Sequence, residues 1–246
     1  MKNLKYKIIF LLAMLLGSFV LANETTKDSL IIEDFSKGVV GEYPSWLKWR
    51  NGWSMKKHEE DDGVFKPYII AEENENKYLK ADDTGQSIII GKEVKWNLKK
   101  YPVLTWKWRV RKLPEDADAW KGKNDSAAGL YITFKRNFFG IPKSIKYIWG
   151  STLPEGTEFR KEKLGKPHVI VVQSGKENVG EWVTVTRNLA EDFEKAWGEK
   201  PDNKILAIGF LTDGNSTGTE ASADYDELIA YPSKHFSGSK VEVEKK

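Results

Sequence analysis

Alternation of apolar and polar residues dominates the chain from residue 23 onward and predicts short β-strands. The runs are separated by Gly, Pro, Asn and Asp at intervals that suit turns. The strand-like segments are residues 29–35, 68–73, 77–82, 87–94, 103–112, 127–134, 168–175, 181–188, 205–213 and 224–231. Because helical patterns between them are scarce, we expect antiparallel sheets packed as a β-sandwich rather than parallel βαβ units.

One segment, residues 188–198, has the periodicity of a helix. Asn188 is the predicted N-cap, and Glu191 follows three residues later, where its side chain can return a capping hydrogen bond. An apolar face runs through Phe193, and Gly198 ends the pattern. We therefore expect one short helix, which covers an open end of the sandwich.

The strand at residues 103–112 raises the question of which face binds a ligand. Trp106 and Trp108 alternate with Lys107 and Arg109, so the two pairs point to opposite faces of the sheet. The tryptophans share their face with aliphatic residues, which predicts that they lie in the core. The basic row then faces outward.

Small residues on two later strands suggest a trough beside this basic row. Gly129 and Gly209 both alternate with bulky apolar residues and therefore point away from the core. If all three strands share one sheet, the trough is flanked by Arg109 and Tyr131, which can grip and stack on a polar ligand. The alternative is that small residues let a loop lie close over the sheet.

Further ligand candidates come from aromatic and acidic residues in segments with loop character. Sugar rings stack on exposed aromatic planes, so tryptophans in loops are informative, although such a residue can also cover a core edge. The candidate ligand-binding residues are Lys107, Arg109, Tyr131, Trp53, Trp120, Asp125, Trp149 and Asp213.

A calcium site is a further hypothesis. The first and last strands of an antiparallel sandwich often pair, which would bring Glu33 and Asp34 close to Asp226. Calcium prefers such an all-oxygen set of ligands. The alternative is that these acids protect an edge strand from aggregation.

The first 22 residues resemble a cleaved export signal. Lysines precede an apolar stretch that ends in Val20-Leu21-Ala22, and an uncleaved anchor is the alternative. This predicts an exported protein, periplasmic or secreted, with one domain at residues 23–236 and a flexible polar tail at 237–246. No stable membrane insertion is expected after cleavage.

Charge and cysteine content narrow the function classes. The chain has 39 Lys and Arg against 36 Asp and Glu, and loss of three lysines with the signal leaves equal numbers. Nucleic-acid binding is therefore not expected, because it requires a positive surplus. With no cysteine, the stability of an exported chain must come from its core.

Five segments in order carry a resemblance to a known family. They read LTWKWRVRKLPEDAD, DSAAGLYITF, IKYIWGSTLPEGT, VVQSGKENVGEWVTVTRNLAEDFEKAWGEKP and ILAIGFLTDGNSTGTEASADYDEL. The chain resembles the bacterial family catalogued as domain of unknown function 3047 over roughly residues 30–231. The resemblance implies an exported jelly-roll-like β-sandwich of galactose-binding or concanavalin-like type, similar in outline to carbohydrate-binding modules.

The function predicted from these patterns is non-catalytic binding of a polysaccharide or cell-envelope glycan around Arg109, Gly129 and Tyr131. A glycan hydrolase or lyase on the same scaffold is one alternative, and an envelope structural or assembly partner without a small ligand is another. No residue stands out as catalytic, and calcium is the cofactor considered.

Overall fold

The computed structural model describes residues 28–47, 66–118, 121–136, 141–160 and 165–244, so the predicted signal lies outside it. The first seven strands are β1 (Leu30–Glu33), β2 (Tyr68–Glu73), β3 (Asn76–Asp83), β4 (Ile89–Asn97), β5 (Val103–Lys112), β6 (Ser126–Arg136) and β7 (Pro142–Gly150). The later elements are β8 (Glu158–Arg160), β9 (His168–Ser174), β10 (Val183–Asn188), helix α1 (Leu189–Trp197), β11 (Lys204–Asp213), β12 (Ala221–Tyr231), a 3-10 turn (Ser233–His235) and β13 (Lys240–Val243).

The described strands form two sheets that pack face to face. The seven-stranded sheet has the order β13-β10-β5-β12-β3-β2, with β1 also paired to β12, and the six-stranded sheet has the order β4-β11-β6-β7-β9-β8. The predicted all-β sandwich with one short helix is confirmed. One pair of described neighbours, β7 and β9, runs parallel. Parallel strands cannot be joined by a hairpin, and the strand between them in sequence, β8, runs in the opposite direction beside β9.

Aromatic side chains from both sheets fill the space between them. Trp106 and Trp108 on β5 are fully buried. Across the sandwich the ring centroid of Trp106 lies 5.2 Å from that of Tyr147, and Trp108 lies 6.3 Å from Trp149, both on β7. The prediction that the tryptophan pair of β5 belongs to the core is confirmed.

Helix α1 begins at the predicted cap, and Glu191 pairs with the side chain of Asn188. The Asn188 side chain accepts a hydrogen bond from the backbone N–H of Ala190 at 3.1 Å, and its amide donates to Glu191 at 2.6 Å. Phe193 is buried against Phe134, and Gly198 ends the helix in the left-handed conformation. No helix in the described ranges is long and apolar enough to cross a membrane.

Strand β7 corrects the interpretation of Trp149 as a loop aromatic. Trp149 is fully buried in this strand, and its indole N–H donates to the backbone carbonyl of Gly175 at 3.1 Å. The strand escaped prediction because its outward-facing Ile148 joins a second apolar cluster with Leu153. This apolar residue on the outward face interrupts the period of two near the end of the strand.

Strand β13 corrects the prediction of a flexible tail at residues 237–246. Lys240–Val243 pairs with β10 in antiparallel register, with Val243 opposite Val183. Without it, β10 would present unpaired backbone groups along the side away from β5. The pairing satisfies those groups, although the added strand itself is polar and largely exposed.

Candidate functional site

The predicted trough brings together residues that lie on different sheets. Gly129 and Gly209 lie on β6 and β11, which are neighbours in the six-stranded sheet, whereas Arg109 and Lys107 lie on β5 in the seven-stranded sheet. Both sets point outward, so they occupy opposite outer faces of the sandwich. The predicted grouping of Arg109 with Gly129 and Tyr131 is therefore wrong. Alternation determines which face a residue takes but not which sheet its strand joins.

Arg109 is held in a charged network on the outer face of the seven-stranded sheet. Its Nε donates to Asp224 at 2.8 Å, and its Nη1 donates to Glu73 at 2.9 Å. Its guanidinium also lies 4.7 Å from the ring centroid of Trp182. Asp224 is fully buried and also accepts from Arg111 at 2.9 Å. Burial raises the pKa of Asp224, and the two arginines partly offset that rise.

Lys107 on the same face is also engaged by acids of the protein. Its Nζ lies 2.9 Å from a carboxylate oxygen of Glu227 and 2.7 Å from one of Glu244. These contacts join β5 to β12 and to the residue after β13. The basic row predicted to face a ligand is thus neutralised within the protein, and its evident role is structural.

The outer face of the six-stranded sheet has a different character. One row crosses four strands: Gly91 is opposite Gly209, Gly209 is opposite Tyr131, and Tyr131 is opposite Lys146. The two glycines place no side chain beside the tyrosine, and a β-carbon added at Gly209 would lie 3.4 Å from Tyr131 Cβ. Partly exposed Tyr131 therefore has Gly209, covered by the side chain of Ile89, on one side and a lysine on the other.

A cleft opens on the lysine side of Tyr131. It has a volume of about 120 Å³, which is room for several ordered waters. One part of its wall is aliphatic or aromatic, with Ile148, Leu153 and Phe159, and another is polar, with Thr152 and Lys166. The other lining residues with polar side chains are Asn124, Asp125, Tyr131, Lys146 and Ser151.

Lys146 is the functional candidate that the sequence patterns did not reveal. It is only 6% exposed, and its Nζ lies 5.5 Å from the ring centroid of Tyr131. Its stem passes so close to Gly129 that a β-carbon there would lie 2.8 Å from Lys146 Cε. Within the described residues its ammonium forms neither a hydrogen bond nor an ion pair shorter than 4.0 Å. The Nζ atom itself is not buried, so Lys146 has a buried stem whose ammonium opens to the cleft.

Two predicted acidic residues lie beside this lysine. The carboxylate of Asp125 accepts hydrogen bonds from the backbone N–H groups of Ser216 and Thr217 at 3.0 and 2.7 Å, and from the Thr217 hydroxyl at 2.8 Å. It therefore fixes the loop after β11. Asp213 is buried at the end of β11, and burial raises its pKa while nearby Lys146 opposes the rise.

The predicted loop tryptophans contribute no described side chain to the cleft. Trp53 and Trp120 lie outside the described residues. Trp149, as noted above, lies in the core. Tyr131 is therefore the one predicted aromatic residue that the described part of the chain places at the cleft.

The carboxylates proposed for calcium do not converge. The first strand does pair with β12, as expected, with Leu30 opposite Ala230. However, Glu33 is ion-paired with Lys92 at 2.6 Å. Asp226 accepts from Asn76 at 2.7 Å, and burial raises its pKa to about 6.

Asp34 accepts the hydroxyl of Ser36 at 2.7 Å and is likewise engaged locally. In the described ranges no three acidic or histidine residues are grouped so that they could hold a metal ion. The predicted grouping of Glu33, Asp34 and Asp226 is wrong, because β1 ends opposite Leu228 and its acids turn to other partners.

The fold and this site define the class of protein: a two-sheet β-sandwich with an aromatic and cationic cleft on one outer sheet face. The chain belongs to the family described as "Protein of unknown function (DUF3047)", which matches residues 49–229. This finding confirms the family resemblance seen in the sequence. No curated protein matches the chain.

Among solved structures, the chain is similar to the xyloglucanase domain of NopAA, a type three effector from Sinorhizobium fredii, in complex with cellobiose. The two chains are 9% identical, and the match covers 68% of this chain and 83% of that one with a TM-score of 0.34. Similarity of this degree assigns neither a ligand nor an activity to the present chain.

Proposed function

We propose that this protein binds a glycan, without catalysis, in the cleft beside Tyr131 on the outer face of the six-stranded sheet. The observation that carries the proposal is a partly exposed aromatic side chain at the edge of a recess that combines apolar and hydrogen-bonding walls. Small-molecule sites commonly combine apolar walls with a few polar groups in this way. We thus retain glycan binding as the proposed function and place the binding site at Tyr131 and Lys146 instead of at Arg109.

The two kinds of wall match the two kinds of surface on a sugar ring. The ring presents C–H groups on its faces, which pack on aromatic and aliphatic side chains such as Tyr131 and Ile148. Its hydroxyls point outward and can pair with Thr152 and Lys166. The Thr152 hydroxyl donates to the backbone carbonyl of Ala117 at 2.7 Å and keeps lone pairs that can accept from a ligand.

The acids near the cleft favour binding over hydrolysis. Glycoside hydrolysis usually requires two carboxyl groups that flank the scissile bond. Asp125 is engaged by three donors of the loop after β11, and Asp213 is buried at the strand end. These roles support the stability of the cleft wall. The export signal predicted at residues 1–22 agrees with a ligand outside the cytoplasm, and we propose an exported location.

Titration with a panel of oligosaccharides tests the proposal. We expect one or more to bind the wild-type chain, and Tyr131→Ala to weaken that binding by about two- to tenfold, because stacking at one aromatic contributes about 0.5–1.5 kcal/mol. Tyr231→Ala is the matched control, since Tyr231 is also partly exposed but lies on β12 of the other sheet. Absence of glycan binding, or full binding by a folded Tyr131→Ala variant, would refute the proposal.

A further inference from the structure

We propose that the cleft selects glycans that carry an anionic substituent, a carboxylate or a sulfate ester, which accepts hydrogen bonds from Lys146 Nζ. This inference rests on the proposed glycan site and assigns its chemical class of ligand. It starts from Lys146, whose stem is buried while its ammonium opens to the cleft without a close acceptor from the described part of the chain.

Other partly buried cations of the sandwich have acids in direct contact. Lys92 lies 2.6 Å from Glu33, Lys107 lies 2.7 Å from Glu244, and Arg109 lies 2.8 Å from Asp224. Lys146 is more buried than any of these three side chains, yet within the described residues it has no acceptor within 4.0 Å. Since its ammonium carries three donors, the missing acceptors must come from solvent or from a ligand in the cleft.

The nearby acids do not replace such a ligand. Both carboxylate oxygens of Asp125 accept hydrogen bonds from Ser216 and Thr217. Asp213 interacts with Lys146 electrostatically, without a hydrogen bond between them. One carboxylate oxygen of Asp213 accepts the backbone N–H of Asn215 at 3.3 Å. An anionic group in the cleft would meet an ammonium whose donors are all available.

Two further features support an anion rather than a neutral hydroxyl. Lys166 is exposed at the same cleft and adds a second positive charge. In addition, the absence of a side chain at Gly129 leaves the channel through which the Lys146 stem reaches the cleft. Charge-assisted hydrogen bonds are about twice as strong as neutral ones, so a carboxylate or sulfate gains more here than a hydroxyl does.

The test compares oligosaccharides of equal length that are neutral, uronate-bearing or sulfated, titrated calorimetrically into the full chain. We expect one or both anionic classes to bind about tenfold tighter than the neutral one, and the two anionic arms reveal which group is preferred. The preference should shrink when salt rises from about 0.05 to about 0.5 M, because mobile ions screen the attraction.

Variants assign the preference to one residue. Lys146→Gln should lose most of the preference for anionic ligands, whereas Lys204→Gln, an equal charge change on β11 of the same sheet, should keep it. Equal affinity of the wild-type chain for neutral and anionic ligands would overturn the inference while the glycan site stands. Absence of binding to every glycan would overturn both.

A melting experiment separates ligand binding from a structural role of the charge. Lys146→Met keeps the length of the stem and removes the ammonium. We expect its melting temperature to equal or exceed that of the wild-type chain, because no close ion pair is lost. A fall of several degrees, together with an unchanged preference for anionic ligands, would show that Lys146 serves only as a counter-charge for Asp213 and would overturn the inference.

Discussion

Arg109→Ala tests whether the charged face of the seven-stranded sheet stabilises the fold rather than binding a ligand. The substitution removes one of two arginines from the fully buried carboxylate of Asp224. Loss of one partner from a buried ion pair costs about 3–5 kcal/mol, and Arg111 remains, so we expect the lower part of that range. Loss of the stacking contact with Trp182 adds about 0.5–1 kcal/mol.

The contact of Arg109 with Glu73 adds little, because that carboxylate is 49% exposed and such pairs contribute about 0–1 kcal/mol. The expected loss in the free energy of unfolding is therefore about 3–4 kcal/mol. Urea denaturation followed by tryptophan fluorescence measures it. Lys112→Ala on the same strand is the control and should show no measurable loss, since Lys112 pairs with Glu220 in solvent.

Binding separates the structural role from the role first predicted for Arg109. Under conditions where the variant is folded, we expect it to bind glycan as the wild-type chain does, because Arg109 lies on the opposite outer face from the cleft. An unchanged free energy of unfolding would refute the structural reasoning. Loss of glycan affinity in the folded variant would show that Arg109 contributes to glycan binding, as first predicted.

Two more substitutions test the energetics of the sheets. Burial raises the pKa of Asp226 to about 6, so the carboxyl stabilises the folded chain at low pH and this contribution is lost as pH rises through about 4 to 6. In denaturation series, the stability of Asp226→Asn relative to wild type should thus rise by about 2–3 kcal/mol between pH 4 and 7, and a constant difference would contradict the assignment. Gly129→Ala should cost about 1–3 kcal/mol and weaken binding of anionic glycans, because its β-carbon would crowd Lys146 and lie 3.1 Å from the carbonyl of Leu211. Gly91→Ala on β4 is the control, because it lies outside the cleft and its β-carbon would have no atom closer than 3.4 Å, and equal effects of the two alanines would count against the crowding.

Alternation of apolar and polar residues, together with capping residues, predicted the elements that have one buried face and one solvent-exposed face. The alternation over residues 103–112 matches β5, and the capping residues around Asn188 match helix α1. The pattern failed at β7, where Ile148 is apolar on the outward face. It also failed at β13, whose polar residues are recruited by backbone pairing with β10 rather than by burial.

The candidate site was predicted only in part because it depends on which strands become neighbours. The outward direction of Gly129, Tyr131 and Arg109 follows from alternation. However, β5 pairs with β10 and β12, whereas β6 pairs with β7 and β11. These partners are distant in sequence, and no local signal fixes them. Tyr131 was therefore assigned to the correct face but with the wrong basic neighbour.

Arg109 and Lys146 show why the environment of a buried cation is more informative than its position in an alternating pattern. Both project outward from a strand, and both are largely withdrawn from water. The fold surrounds Arg109 with acids, which recover the cost of desolvation within the protein. The stem of Lys146 packs against Gly129, and its ammonium lies near the ring of Tyr131 at the cleft. No carboxylate of the described residues is in contact with it. The donors of Lys146 are thus left open to the cleft for a ligand to meet, which is why this lysine, and not the basic row of β5, carries the proposed specificity.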